Sequence, residues 1–113
     1  MKKKIIVIGA AGNLGMYFID YLMSHLDLTK FEIVATGTKK EYPYDFYKGT
    51  YYQLNIINKS DFDKLPTDNV YAVVDFAGVL PAYSSSITDE DYIDVNIKGT
   101  LNILNYCKNC NID

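Results

Sequence analysis

Three features of this chain have residue types and spacings that could do chemistry: a glycine-rich run, a cysteine pair and one histidine. The run is Gly9-Ala10-Ala11-Gly12-Asn13-Leu14-Gly15, a G-x-x-G-x-x-G in which each glycine has a separate use. Gly9 permits a tight turn, Gly12 lets backbone approach a pyrophosphate, and Gly15 lets a following helix pack closely on a sheet. A helix beginning there offers unpaired N–H groups and partial positive charge, so the ligand chemistry it suits is that of phosphates. Cys107 and Cys110 have the Cys-x-x-Cys spacing of redox and zinc sites. Structural zinc needs four ligands, and the sole histidine, His25, is far away in sequence. A redox pair gains thiolate character at a helix N-terminus, whereas this pair falls near a predicted helix C-terminus. The pair therefore reads as helix cysteines in a reducing cytoplasm, and no metal site is expected. His25 falls in the last turn of another predicted helix, where it suits the exposed carbonyl end.

Those residues need elements to hold them. Residues 4–8 are a continuous apolar run ended by glycine, the pattern of a central parallel strand buried on both faces. From Asn13 to about Leu26, Leu14, Phe18, Leu22 and Leu26 recur every four positions, which predicts an amphipathic helix. A second strand is expected over 31–36, broken by Gly37-Thr38-Lys39-Lys40. Residues 41–50 contain Pro43 and Gly49 and have no helical period, so they predict an irregular crossover into a short third strand at 51–54. Asn58 or Ser60 can cap a short helix through Leu65. Residues 70–76 carry the strongest buried-strand signal after the first. Thr88 and Asp91 resemble a capping box opening a long helix to about Cys110. The fold class is α/β: a Rossmann-type doubly wound parallel sheet, truncated after the fourth strand and its following helix.

Composition narrows the partners. The chain has 113 residues, 49% hydrophobic and 22% charged, enough for one domain. No stretch reaches the roughly 20 apolar residues of a membrane span, so no membrane partner is expected. All eleven basic residues are Lys, scattered among fourteen acids, and the net charge is −3. Without Arg forks or a basic patch, nucleic acid is not an expected partner either.

Beyond the glycine run, the chain resembles the N-terminal part of an extended short-chain dehydrogenase/reductase, the family of nucleotide-sugar epimerases and dehydratases. Gln53-Leu54-Asn55-Ile56 stands where that family has an Asp and an aliphatic residue at the adenine. The segment 73–78, ending Phe76-Ala77-Gly78, is similar to the family's fourth strand, and its ending to that of the galactose epimerases. Residues 96–104, Asn-Ile-Lys-Gly-Thr-Leu-Asn-Ile-Leu, match the family's Asn-Val-x-Gly-Thr-x-Asn-Leu-Leu helix. The resemblance implies a dinucleotide cofactor bound by Gly9, Gly12, Asn13, Leu14, Gly15, Thr36, Lys39, Asn55, Ile56, Phe76, Ala77, Gly78 and Asn96. It also implies a nucleotide-sugar substrate for the full-length protein and a homodimer packed through the last helix.

The sequence departs from the family at Ile8, often Thr there, and at Asp75, usually His. At the end of the second strand, where NAD-specific members place an acid on the ribose 2′-hydroxyl, it has Ala35-Thr36-Gly37-Thr38-Lys39-Lys40. Two lysines and two hydroxyls suit a 2′-phosphate, which favours NADP over NAD. The family's catalytic Tyr-x-x-x-Lys comes after a fifth strand, beyond Asp113, so no catalytic residue is assigned. Residues 44–48 do read Tyr-x-x-x-Lys, but with eleven Tyr and eleven Lys roughly one such match arises by chance, and it sits in the wrong crossover. The resemblance leaves two functions open. One is the cofactor portion of an epimerase/dehydratase-type oxidoreductase, and the other is a non-catalytic module that senses the dinucleotide.

Overall fold

The computed structural model describes residues 1–78 and 88–112. Strand β1 (Lys3–Ile8) leads through the glycine run into helix α1 (Asn13–His25), and strand β2 (Phe31–Gly37) follows. Strand β3 (Thr50–Gln53), a 3₁₀ turn (Lys59–Lys64) and strand β4 (Val70–Asp75) complete the sheet. Beyond Thr88, α2 (Asp89–Tyr92), a π-helical stretch (Ile93–Gly99) and α3 (Thr100–Asn109) run on without a break in helical backbone. All strand pairings are parallel, in the order β3-β2-β1-β4. That is the Rossmann order, in which the chain reverses direction across the sheet between β1 and β4 and opens a crevice at the strands' carboxyl ends.

The apolar run of β1 has its expected explanation. Ile5 and Val7 join one core with Ile19 and Leu22 of α1, while Ile6 and Ile8 join another with Ile103 and Tyr106 of α3. A strand covered on both faces cannot alternate polar and apolar residues.

Four local expectations are corrected. On α1 the buried residues are Gly15, Ile19 and Leu22, and Leu14 is 71% exposed. At 3.6 residues per turn an every-fourth series drifts by about 40° per step, so a row from Leu14 to Leu26 leaves the core face at its start. Strand β4 is half-buried, with Tyr71 exposed, because among the described residues only β1 flanks it. The short helix expected after Asn58 is a 3₁₀ turn with no side-chain cap; the Asp61 carboxylate instead accepts from the Asn55 N–H at 2.9 Å. The long last helix is π-helical in its middle. Its start is as expected: Thr88 Oγ1 accepts from the Asp91 N–H, and the Asp91 carboxylate accepts from the Thr88 N–H.

Candidate functional site

A cavity of about 720 Å³ opens at the carboxyl ends of β1, β2 and β4. Eleven of the thirteen expected residues line it: Gly9, Gly12, Asn13, Leu14, Gly15, Thr36, Asn55, Ile56, Phe76, Ala77 and Gly78. Among the described residues, Ile8, Ala11, Gly37, Thr38, Leu54 and Val95 also line it. No Asp, Glu, Lys or Arg stands among these residues. Ile8, Ala11, Gly37, Thr38 and Leu54 lie in or beside segments the sequence singles out, whereas Val95 could be found only from the fold that brings the last helix to the sheet.

The three glycines of the loop answer different demands. Gly9 has φ +74°, and a Cβ there would stand 2.7 Å from the Ala77 nitrogen. At Gly15 a Cβ would stand 2.1 Å from the Gly9 carbonyl oxygen. Both are therefore required by packing of the loop against β4 and α1. Gly12 is not: its φ of −72° suits any residue, and a Cβ would meet nothing closer than the Gly9 oxygen at 3.7 Å. Gly12 lies in the cavity wall, and the space beside it is open. Gly12 is also the N-cap of α1, with no side-chain cap and no acid in the first turn. The first turn of a helix has N–H groups without intrahelical partners, and here its residues Asn13, Leu14 and Gly15 line the cavity.

At the other end of the cavity, Asn55 is exposed with its Oδ1 accepting from the Ile57 N–H at 3.3 Å. Ile56 is buried, and its carbonyl accepts from Asn102 Nδ2 at 2.8 Å. A Cβ on Gly99 would come within 2.5 Å of Ile56 Cδ1. Gly99 and Asn102 of the last helix thus clamp the segment after β3. On the β4 side, the Phe76 N–H donates to the Ile8 carbonyl, and its ring packs on Phe18 of α1 at 5.3 Å between centroids. Asp75 Oδ1 accepts from the Ala77 N–H at 2.8 Å, and burial pushes this carboxyl above its ordinary range despite that bond.

Two expected residues, Lys39 and Asn96, lie outside the cavity wall, and a third, Thr36, lines it with its hydroxyl committed. Thr36 is fully buried, and its hydroxyl donates to the Val7 carbonyl at 3.1 Å, so that proton is not free for a 2′-phosphate. Lys39 is exposed and outside the cavity wall; its carbonyl accepts from the Tyr51 hydroxyl at 2.6 Å. Asn96 is not part of the wall either, but a Cβ at Gly78 would stand 3.4 Å from its Oδ1, which sets it at the cavity's edge.

The features read as non-catalytic keep simple surroundings. His25 Nδ1 lies 2.9 Å from the Tyr21 carbonyl, and its ring stacks on Tyr21. Cys107 and Cys110 are free thiols in the last turn of α3 and at its end, and burial pushes both upward, away from thiolate. Lys48 pairs with Asp45 at 3.4 Å, while the Tyr44 hydroxyl points at the Ala11 carbonyl at 3.5 Å.

The family model for the NAD dependent epimerase/dehydratase family matches residues 5–113. No curated protein matches the chain in sequence. Among solved structures, L-threonine dehydrogenase from Clostridium difficile is 21% identical with a TM-score of 0.77, over 100% of this chain and 35% of that one. ADP-L-glycero-D-manno-heptose-6-epimerase from Helicobacter pylori is 18% identical with a TM-score of 0.78, over 98% of this chain and 37% of that one. At these identities the likeness is one of fold, and this chain spans little more than a third of either solved chain.

Proposed function

This chain belongs to the NAD dependent epimerase/dehydratase family, and on that premise we propose that its cavity seats a nicotinamide dinucleotide. The pyrophosphate lies on the Gly9–Gly15 loop and the adenosine toward Asn55 and Ile56. The observation that carries this reading is Gly12: packing does not require a glycine there, whereas a pyrophosphate close to the backbone does.

NADP is the preferred cofactor. Among the described residues, the cavity wall holds no carboxylate to pair with a free 2′-hydroxyl or to repel a 2′-phosphate. Thr38 stands in that wall, and Lys39 and Lys40 are exposed just after it. The preference rests on Thr38 and the lysines, not on Thr36, whose hydroxyl is committed to Val7.

When bound, the nicotinamide would supply the hydride acceptor or donor. The chain's own share is to hold the phosphates on α1 and to fix the adenosine through the clamp of Asn102 on Ile56. The full-length protein would be an epimerase/dehydratase-type oxidoreductase acting on a nucleotide-linked sugar, with its Tyr-x-x-x-Lys beyond Asp113. It would work in the cytoplasm, where buried free thiols stay reduced. Ile93, Ile97, Leu101 and Leu104, each about half exposed, fall on one side of the last helix and support a homodimer along it.

Titration of NADPH and NADH into the full chain, followed by nicotinamide fluorescence and sedimentation of the same sample, tests these points together. Tighter binding of NADPH and a dimeric species are expected. Equal affinities would remove the NADP preference, a monomer would remove the dimer, and no binding of either nucleotide would overturn the reading.

A further inference from the structure

We propose that Tyr42 is a positioning residue for the pyrophosphate, its hydroxyl holding the Ala10–Ala11 peptide so that the Ala11 N–H faces the cavity. This rests on the dinucleotide reading above and adds to it a residue from the β2–β3 crossover, outside the glycine run.

Ala10 is fully buried and held at both of its polar atoms. Its N–H donates to the Thr36 carbonyl at 2.9 Å, and its carbonyl accepts from the Tyr42 hydroxyl at 2.9 Å. A peptide group is planar and trans, so its N–H points opposite to its C=O. With the Ala10 carbonyl drawn toward Tyr42, the N–H of the same peptide, which belongs to Ala11, turns to the other side. Ala11 is part of the cavity wall, and among the described residues no backbone carbonyl accepts from its N–H. The next N–H, that of Gly12, bends back to the Gly9 carbonyl at 3.3 Å, a long bond. The Ala11 N–H is therefore the donor of the loop left for a ligand ahead of α1's own first turn.

Tyr42 is itself fixed. Its ring lies 5.7, 5.3 and 5.8 Å from the rings of Tyr44, Tyr47 and Tyr51, centroid to centroid. Tyr47 is buried, and its hydroxyl is within reach of the Ile33 and Thr50 carbonyls at 2.9 and 2.6 Å. The Tyr51 hydroxyl donates to the Lys39 carbonyl. An aromatic cluster thus ties β2 and β3 to the loop between β1 and α1. The rings alone could be phenylalanines. What a phenol adds at position 42 is a donor that reaches a carbonyl 32 residues earlier in the chain.

Tyr42→Phe keeps the ring contacts and removes that donor. NADPH and adenosine, which has no phosphate, are titrated into full chains of the wild type, Tyr42→Phe and Tyr47→Phe, with a thermal melt of each. One hydrogen bond of net worth predicts NADPH binding about fivefold weaker in Tyr42→Phe, with adenosine binding unchanged. Tyr47→Phe is expected to melt earlier and to bind NADPH like the wild type. If Tyr42→Phe binds NADPH as the wild type does, or loses no more than Tyr47→Phe, the positioning role falls and the dinucleotide reading stands. If the wild type binds no dinucleotide, both fall. Should Tyr42→Phe not fold, the wild-type amide resonances decide: the Ala11 amide proton is expected to shift on addition of NADPH, and an unmoved Ala11 amide overturns the proposal.

Discussion

Between β1 and β2 the chain crosses through α1; between β2 and β3 it crosses through residues 38–49 with no helix at all. In the first crossover the backbone satisfies its own hydrogen bonds, and burial of Ile19 and Leu22 docks the helix on the sheet. In the second, side chains complete the bonding: the hydroxyls of Tyr42, Tyr47 and Tyr51 bond to carbonyls of Ala10, of Ile33 and Thr50, and of Lys39. Buried backbone groups must find partners in either case. A helix finds them by local repetition, and an irregular segment finds them by long-range contacts that depend on individual residues. The two crossovers meet at Ala10, which is part of the loop before α1 and is held by a phenol from the other crossover.

The largest expected effect strikes the helical crossover. Gly15→Ala puts a Cβ 2.1 Å from the Gly9 oxygen, a backbone atom with little freedom to move. Urea unfolding should show a loss of about 3 kcal/mol, at the upper end of what overpacking costs. A loss below about 1 kcal/mol would mean the loop gives way and that α1 is not held as tightly as its glycine suggests.

An intermediate effect should come from the tyrosine crossover at high pH. Burial pushes the Tyr42 phenol up to about 12 from its ordinary value of 10.0, and it pushes Tyr47 higher still. A phenol whose pKa is raised by folding binds its proton more tightly in the folded state. Stability contributed this way is intact below about pH 10 and is lost as the pH rises toward 12 and beyond. Thermal melts between pH 7 and 9 should therefore coincide on this account, with destabilisation setting in above about pH 10. A melting temperature insensitive to pH from 10 to 12 would mean these phenols are not held protonated by the fold.

The smallest effect on stability is expected at Gly12. In Gly12→Ala a poorer N-cap offsets the reduced freedom of the unfolded chain, and the net change should stay within about 0.5 kcal/mol. Because Gly12 lies in the cavity wall, dinucleotide affinity should nevertheless fall by about tenfold in the same titration that measures the wild type. Unchanged affinity would put the phosphates elsewhere.

How legible the molecule is from its sequence follows the same division. The β1–loop–α1 unit can be read because its signals are local: an apolar run, glycines at fixed spacing, and an apolar period after them. The cavity wall was legible as far as motifs extend, to Asn55, Ile56 and Phe76-Ala77-Gly78. At Thr36 the residue type shows a hydroxyl but not that the hydroxyl turns to Val7 of the neighbouring strand. The roles of Gly99 and Asn102 are likewise invisible in one helix alone, because both are defined by Ile56 some 45 residues earlier. Residues 38–49 could be identified as irregular and no further. Nothing periodic distinguishes a tyrosine that bonds to the loop from one that merely covers the sheet.

The tyrosine crossover has an optical consequence. The chain has no Trp and eleven Tyr, so its near-ultraviolet circular dichroism comes chiefly from phenol rings held in an asymmetric setting. Tyr42, Tyr44, Tyr47 and Tyr51 are held in one such cluster. The backbone signal in the far ultraviolet, by contrast, is dominated by the helices. The protein therefore carries two separate spectral reporters, one for each way of crossing its sheet, and a state in which the crossover has loosened while α1 persists would be visible without any label.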